Sequence, residues 1–370
     1  MTQYSCIDIL NFKIKNIKEV SDIDLKWKTV VDSTSYAWFW SEYYEHCFRI
    51  IVLKESDRFI EDESFLIYCD GELCGLAPLV FITSNDFNGK EAGYDKPLPW
   101  PMIMDSAKNK ESIAEFIFNK IDEISRNYNI KKISLQYSPP RLENNFSKEF
   151  SPIIKEHKYI NNSHMSHYVD ISDLTLSNIR KRYKRYVKKY LPLYELKIID
   201  KNNFDTSIPE AYMKLHIKDS GSFNRPLETY TAQFDYVVKG DGFVVQVINK
   251  KMDKIVGMLI ICMCKNAAYD ASVAVDPDFQ QDYVSHLMKW KAIQYMVSIG
   301  VKYYELGKVA ENSGYLEQLS SKNHGISFFK DGWSRGRSRR IFTYDKYFSR
   351  SALNVVWNNK LSKLIDYYNI

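Results

Sequence analysis

Long apolar runs are missing from this 370-residue sequence. No stretch of about 18 apolar residues occurs, so the sequence predicts no membrane-spanning segment. In the opening residues, the polar side chains of Asp8, Asn11 and Lys13 interrupt the apolar ones, and we expect no secretory signal there. The apolar run IVGMLIICMC at 255–264 has instead the length of a buried strand. These absences favour a cytoplasmic protein, and the chain is long enough for two folded units.

Cysteine is scarce as well, at six residues. Cys262 and Cys264 are two apart in a strand-like run without a histidine nearby, which is too close for the usual zinc spacing. We therefore expect buried thiols in a reducing compartment, no metal site and no tightly bound cofactor. The sequence has neither a GXGXXG stretch nor a P-loop, which argues against a dinucleotide-dependent enzyme and a P-loop NTPase.

Positive charge is unevenly distributed over the chain, whose net charge is +5. RKRYKRYVKK at 180–189 holds seven cations and no acid, and its apolar residues recur at helical spacing. We predict a basic helix over 172–190, ended by Pro192. Two interpretations stay open: a solvated helical face, or a site for phosphates of tRNA or of a diphosphate-linked substrate. The candidate phosphate contacts are Arg180, Lys181, Lys184 and Arg185.

One order of elements occurs twice, about 180 residues apart. In the first half, a hairpin at 63–82 with an Asp70-Gly71 turn precedes an extended segment, an amphipathic helix near 111–128 and a strand. In the second half, a hairpin at 242–264 precedes a strand, a helix stopped by Gly300 and another strand. This repeat predicts an α+β protein with one unit over 1–170 and another over 171–370. The second unit would end in a closing helix, SALNVVWNNKLSKLIDYY.

Hairpin, strand, helix and strand is the element order of the GNAT acyltransferases, and two such units joined by a basic helix resemble the Fem-type transferases. The basic segment is similar to the family's Arg-rich helix, and 257–307 follows its hairpin, small-residue strand, long helix and final strand. Phe329, Lys330 and Trp333 match its Phe-Lys-x-x-aromatic signature. The resemblance implies two tandem GNAT-like units, each a mixed β-sheet flanked by helices. It also implies transfer of an acyl or aminoacyl group to an amine of a cell-envelope or glycan precursor.

The acyl donor is less defined by this resemblance. In acyl-CoA-dependent GNAT enzymes a Gly-rich turn opens the long helix and cradles the pyrophosphate. The matching residues here, DPDFQQDYVSHL, contain no glycine. Fem-type proteins share this loss, and many take their acyl group from aminoacyl-tRNA. Both donors, aminoacyl-tRNA and acyl-CoA, remain open, with a phosphate-linked amine as acceptor, tRNA as a candidate partner and peripheral membrane contact as an option.

Lys330 is the first candidate for catalysis, because a partly desolvated ammonium stabilises a developing oxyanion. The alternative is a lysine whose stem lies on aromatic rings while its ammonium reaches water. Glu305 ends a strand, where it can act as a base, hold Lys330 or form an ordinary salt bridge. His324 is a further candidate base, or an incidental loop residue. The candidate substrate contacts besides the basic helix are Tyr269, Asp270, Arg225, Phe329 and Trp333.

Two other functions compete with an aminoacyltransferase. One is an acyl-CoA-dependent N-acetyltransferase acting on a nucleotide-linked amino sugar. The other is a degenerate, non-catalytic GNAT protein that binds a glycan, a lipid precursor or RNA. A second cationic cluster, SRGRSRR at 334–340, favours an anionic ligand under each of these functions.

Overall fold

The computed structural model describes residues 11–138, 152–172, 174–177, 179–223, 225–310 and 321–368. Its helices are α1 Ile23–Asp32, α2 Tyr43–Glu55, α3 Lys110–Asn127, α4 Lys181–Tyr190, α5 Ile208–Ser220, α6 Leu227–Gln233, α7 Asp235–Lys239, α8 Val284–Ser298, α9 Ser321–Ser334 and α10 Arg350–Tyr368. Within these ranges, none of the helices is both long and apolar enough to cross a bilayer.

The strands divide between a small antiparallel sheet and a large mixed sheet. Strands of the first half are β1 Phe12–Asn16, β2 Phe59–Asp62, β3 Phe65–Cys69, β4 Glu72–Ala77, β5 Val80–Thr83, β6 Lys90–Ala92, β7 Leu98–Pro99, β8 Met102–Ile103, β9 Ile130–Tyr137, β10 Ile160–Asn161 and β11 His164–Asp170. Those of the second half are β12 Tyr194–Ile199, β13 Gly242–Asn249, β14 Lys254–Cys264, β15 Ala267–Val275, β16 Tyr303–Lys308 and β17 Ser338–Tyr347.

The large sheet runs through both halves of the chain. Its strand order is β12-β13-β14-β15-β16-β11-β17-β9-β6-β5-β2, while β1-β3-β4-β8 form the small sheet. The C-terminal strand β17 pairs with β9 of the first half, from Phe342 opposite Tyr137 to Tyr347 opposite Lys132. Strand β11 lies between β16 and β17. The division into units at 170 and 171 stays a prediction, and the hydrogen-bonded sheet continues across it.

The predicted hairpins form for local reasons. Asp70 and Gly71 both have positive φ, 51° and 86°, as a two-residue turn between β3 and β4 requires. The second hairpin turns at 250–253, between β13 and β14. Gly300, at φ 83°, follows the end of α8 as expected. The order of hairpin, strand, helix and strand is therefore confirmed in both halves.

Two local predictions were wrong. The basic helix begins at Lys181, not at Ser172. Polar side chains before it bond locally: the Ser172 N–H donates to Asp170, and the Thr175 and Ser177 hydroxyls lie 2.6 Å apart, which competes with a helix. His324, one alternative for which is an incidental loop residue, lies with Lys330 in helix α9. Its buried Trp333 packs on α4 and α8, and this tertiary packing outweighs the two glycines within the segment.

Aromatic residues join the two halves. Phe39 stacks on Tyr269 with ring centroids 4.5 Å apart, and Tyr44 meets Tyr236 edge-on at 4.6 Å. Glu42 lies buried at the same junction, 3.9 Å from the Cys264 sulfur. Burial, and then the nearby Asp241 carboxylate, raise the pKa of Glu42 to about 7. The junction therefore combines packed aromatic rings with a buried carboxyl group, Glu42, that is easily protonated.

Candidate active site

Helix α9 is fixed against the basic helix α4 by shape and by charge. Tyr183 of α4 packs where Gly332 has no side chain: a Cβ there would lie 2.2 Å from the tyrosine ring. The Tyr183 hydroxyl donates to the Phe329 carbonyl at 3.0 Å. Arg180 forms an ion pair with Asp331 at 2.7 Å. Lys330 is thus held between two residues that bind α4 directly.

The Lys330 ammonium lies against a gap in strand β16. Gly307 has φ 92°, and a Cβ there would be 3.0 Å from the Lys330 Nζ and 3.7 Å from the Tyr269 hydroxyl oxygen. A glycine is needed at this place for two reasons: its backbone conformation disfavours other residues, and a side chain would crowd the ammonium. Gly307 therefore leaves room in which Lys330 and Tyr269 approach the same point.

Two carboxylates near Lys330 are already neutralised by other cations. Glu305 binds the Arg339 guanidinium and accepts a hydrogen bond from Ser166 at 2.8 Å. Asp270 forms an ion pair with the buried Lys289. For Glu305, this geometry favours the salt-bridge alternative over a free base, because its oxygens are occupied.

Lys330 itself has no ion-pair partner among the residues that the structure describes. Burial lowers the pKa of Lys330, and the charges of Asp270 and Glu305 oppose that shift. A sheltered ammonium without a hydrogen-bonded carboxylate retains its donors for another acceptor. The arrangement can therefore donate hydrogen bonds to a negatively charged oxygen that is not part of the protein.

Tyr269 supplies a second donor at the same place. Its ring is held between Phe39, stacked at 4.5 Å, and Trp40, edge-on at 5.1 Å. Burial raises the pKa of Tyr269 above its ordinary value, so the hydroxyl keeps its proton at neutral pH. The structure thus brings together Lys330, Tyr269, Glu305 and Asp270, four of the residues predicted from the sequence.

The other predicted residues lie elsewhere. His324 is exposed on α9, six positions before Lys330, and is on a helix rather than in a loop. Trp333 is fully buried in the core, so its place is that of a packing residue rather than a substrate contact. Phe329 is half-buried and packs edge-on against His286 at 4.9 Å. Arg225 lies over the Tyr230 ring at 4.1 Å and packs helix α6.

The four predicted phosphate contacts, Arg180 just before α4 and three residues within it, divide into two groups. Arg180 is bound to Asp331 and stacks over the Phe328 ring at 4.4 Å, so it holds α9 in place. Lys181 and Arg185 are exposed and Lys184 is half-exposed. We call these three residues the cationic face of α4. Only Arg180 of the four predicted phosphate contacts is thus joined directly to the helix that carries Lys330.

His167 was missed by the sequence reasoning. It is buried on β11, with its ring nitrogens 2.9 Å from the Ser327 hydroxyl and 3.2 Å from the Ser334 hydroxyl of α9. Burial, and then the Lys330 charge, lower the pKa of His167 to about 4. A neutral His167 therefore contacts α9 at two points, about two helical turns apart, on either side of Lys330. HMSH at 164–167 was the only signal, and it has no motif spacing.

A polar groove lies next to the end of strand β16. Its cavity of about 510 Å³ is lined by Lys308 and Val309, which follow Gly307 directly, and by polar side chains of β9, β11 and β17. An adjoining cavity of about 320 Å³ continues it across the first half, toward Glu91, Lys132 and Asp345. Amides, hydroxyls and charges of both signs line this groove, which suits a polar ligand with many hydrogen-bonding groups.

No protein-family model matches the chain, and no curated protein matches it. Solved structures do match over most of its length. FemX is 12% identical, with a TM-score of 0.66 over 93% of this chain and 100% of that one. L-PGS from Bacillus licheniformis is 11% identical, with a TM-score of 0.57 over 92% of this chain and 96% of that one.

A tandem GNAT protein from the clavulanic acid biosynthesis pathway is 10% identical, with a TM-score of 0.52 over 91% of this chain and 98% of that one. At such identities the likeness concerns the fold. The chain is an α+β protein with a tandem GNAT-like fold, as the sequence predicts, and this fold is similar to that of FemX.

Proposed function

We propose that this protein is an acyltransferase, which forms an amide by passing an acyl or aminoacyl group to an amine. The observation that carries the proposal is the Lys330 ammonium, which is sheltered, without an ion-pair partner in the described chain, and aimed with the Tyr269 hydroxyl at the gap over Gly307. Attack of the amine on an ester or thioester forms the C–N bond and places negative charge on the carbonyl oxygen. Collapse of this intermediate breaks the C–O or C–S bond, and the departing alcohol or thiol takes up the proton that the amine loses. Two donors at this gap would stabilise that charge.

The attacking amine must be neutral. An α-amino group has a pKa of roughly 7.7–8.0, so a useful fraction is neutral near physiological pH without a strong base. This agrees with a site in which Glu305 and Asp270 are both neutralised. Holding donor and acceptor together supplies the larger part of the rate, up to about 7–11 kcal/mol, and an oxyanion donor adds about 3 kcal/mol.

The acceptor that we propose is an amine on a cell-envelope or glycan precursor, an amino sugar or a peptide. The polar groove supports this choice, because sugars and peptides offer many hydrogen-bonding groups and little apolar surface. Arg340 at the groove suits a phosphate linked to that acceptor. The assignment to the cell envelope rests on the resemblance to the Fem-type transferases.

We infer that the acyl donor is aminoacyl-tRNA rather than acyl-CoA. Tyr186 of α4 stacks on Tyr283, which precedes α8, with centroids 3.5 Å apart and planes inclined by 9°. This stack and His286 crowd the start of α8 with aromatic rings. A pyrophosphate cradle there would need exposed backbone N–H groups instead. The cationic face beside it suits a polyanionic donor.

The deciding experiment incubates the purified protein with labelled acetyl-CoA or with charged tRNA, each beside a panel of amino sugars and peptides. We expect label to enter an amide from charged tRNA, and this product to be lost in Lys330→Met. Transfer from acetyl-CoA instead would support the acyltransferase function and show that the donor is acyl-CoA. Binding of tRNA or a glycan without consumption of either donor would support the non-catalytic alternative.

A further inference from the structure

Exposed aliphatic side chains gather where α4 meets the hairpin of β13 and β14. Leu191 and Leu193 follow α4 and are 39% and 52% exposed, and Met252 at the hairpin turn is 59% exposed. The two segments are in contact: the Lys250 ammonium donates to the Pro192 carbonyl at 3.0 Å, and the Lys250 N–H donates to the Leu193 carbonyl at 3.2 Å. We call Leu191, Leu193 and Met252 the apolar tip.

Lysines surround this apolar tip. Lys188 and Lys189 occupy the last turn of α4, Lys250 and Lys251 occupy the hairpin turn, and all four are exposed. Fewer acidic side chains than lysines lie near the apolar tip. Asp253 lies in the hairpin turn, Glu195 is 3.5 Å from Lys197, and Asp282 accepts a hydrogen bond from Tyr194. The tip therefore combines aliphatic surface with an excess of positive charge.

We propose that the apolar tip docks this protein onto a membrane surface that contains anionic lipids. Aliphatic side chains gain free energy by leaving water for the boundary between headgroups and acyl chains, and lysines around them attract acidic headgroups. RNA uses such lysines too, but it stacks its bases on aromatic rings and gains little from leucine or methionine. Charge and chemistry together thus favour a lipid surface over RNA at this tip.

The position of the tip in the fold suits docking. Strand β12, which follows Leu193, is the end strand of the large sheet, so the tip lies at its rim. Helix α4 leads from the tip to Arg180, which binds Asp331 beside Lys330. Ten helical residues span about 15 Å. If the proposed transferase function also holds, docking would bring the Lys330 site within reach of an acceptor that is attached to a lipid.

The test measures vesicle binding by sedimentation and needs no enzymatic turnover. Wild-type protein is mixed with phosphatidylcholine vesicles, with or without phosphatidylglycerol, and tRNA binding is measured in parallel by gel shift. One variant replaces Leu191, Leu193 and Met252 by serine. Another replaces Lys188 and Lys189 by glutamine. The matched control replaces Val355 and Leu361 of α10, which are 40% and 46% exposed, by serine.

We expect wild type and the α10 control to bind vesicles with phosphatidylglycerol and not vesicles of phosphatidylcholine alone. The serine variant of the tip should lose at least tenfold in vesicle affinity while its tRNA affinity stays unchanged. The double lysine variant should lose about 25-fold, at about fivefold per cation, and the loss should shrink in high salt. Vesicle binding that survives the serine changes would overturn the proposal. A wild-type protein that does not bind anionic vesicles would also overturn it. If the lysine variant lost affinity for tRNA and not for vesicles, the surface would be assigned to RNA.

Discussion

Replacing Lys330 by methionine separates a catalytic lysine from one that only packs on aromatic rings. Methionine keeps an unbranched apolar stem of similar length and removes the charge. If the ammonium stabilises the oxyanion, kcat/KM should fall by 10²- to 10³-fold, about 3 kcal/mol of transition-state stabilisation. Lys330→Arg should recover only part of it, because a planar guanidinium does not fit the gap over Gly307 as an ammonium does.

Stability should move differently from activity in this variant. Since Lys330 has no ion pair among the described residues, its removal leaves no carboxylate unpaired, and the free energy of unfolding should stay within about 1 kcal/mol of wild type or rise. Burial lowers the pKa of Lys330 below its ordinary 10.5. Between these two pKa values the unfolded chain binds more protons, so this residue makes stability rise with pH. Lys330→Met should lose that increment.

The assay compares wild type, Lys330→Met and Lys330→Arg for amide formation, and follows urea unfolding at several pH values. Lys302→Met is the matched control, because it removes an exposed lysine just before the strand that carries Gly307. An unchanged kcat/KM in Lys330→Met would refute a role in the chemistry. A loss of 3 kcal/mol or more in stability would show that the lysine supports the fold instead.

Three further predictions concern the gap, the junction and the cationic face. Gly307→Ala should lower both activity and stability, because Gly307 has a positive φ and lies against the Lys330 ammonium; the loss of stability should be about 1–2 kcal/mol. Gly300→Ala is the control, because Gly300 has φ 83° and open space around it. It should lower stability in urea unfolding and leave activity unchanged. The pKa of Glu42 is raised from 4.5 to about 7, so the contribution of Glu42 to stability should fall as pH rises between those values. The stability of wild type relative to Glu42→Gln should therefore fall over that range in pH-dependent unfolding, and an unchanged difference would contradict the raised pKa. Replacing all three residues of the cationic face by glutamine should weaken the salt dependence of tRNA binding. The slope of log binding constant against log salt concentration should shrink by about one unit for each phosphate contact that is lost. An unaltered slope would show that this face is only solvated.

Much of the fold was predictable because its signals lie in short stretches of sequence. Asp-Gly between two apolar runs specifies a tight turn, and the spacing of Ile113, Ile117 and Ile121 specifies the buried face of α3. The start of the basic helix and the helical conformation of 323–334 were not predictable in this way. In both places, packing among α4, α8 and α9 or local hydrogen bonds outweighed the pattern of nearby residues.

For the candidate site, the sequence allowed several of its residues to be selected, but not their contacts. Lys330, Glu305, Tyr269 and Asp270 were selected from the sequence, and they lie together. No sequence signal indicated that Arg339 would pair with Glu305, that Lys289 would pair with Asp270, or that His167 would contact α9. Each of these partnerships joins segments that are far apart in the chain or on different elements, and none has a fixed spacing.

Sequence by itself determined the order of helices and strands, the tight turns and the concentration of positive charge in one segment, because each depends on residues within one or two turns of chain. Tertiary structure alone decided which charges neutralise one another. The carboxylates near Lys330 are occupied by cations from α8 and β17, and Gly307 leaves a gap in front of its ammonium. A charge becomes available for chemistry only through the arrangement of all its neighbours, and that arrangement exists only in the folded chain.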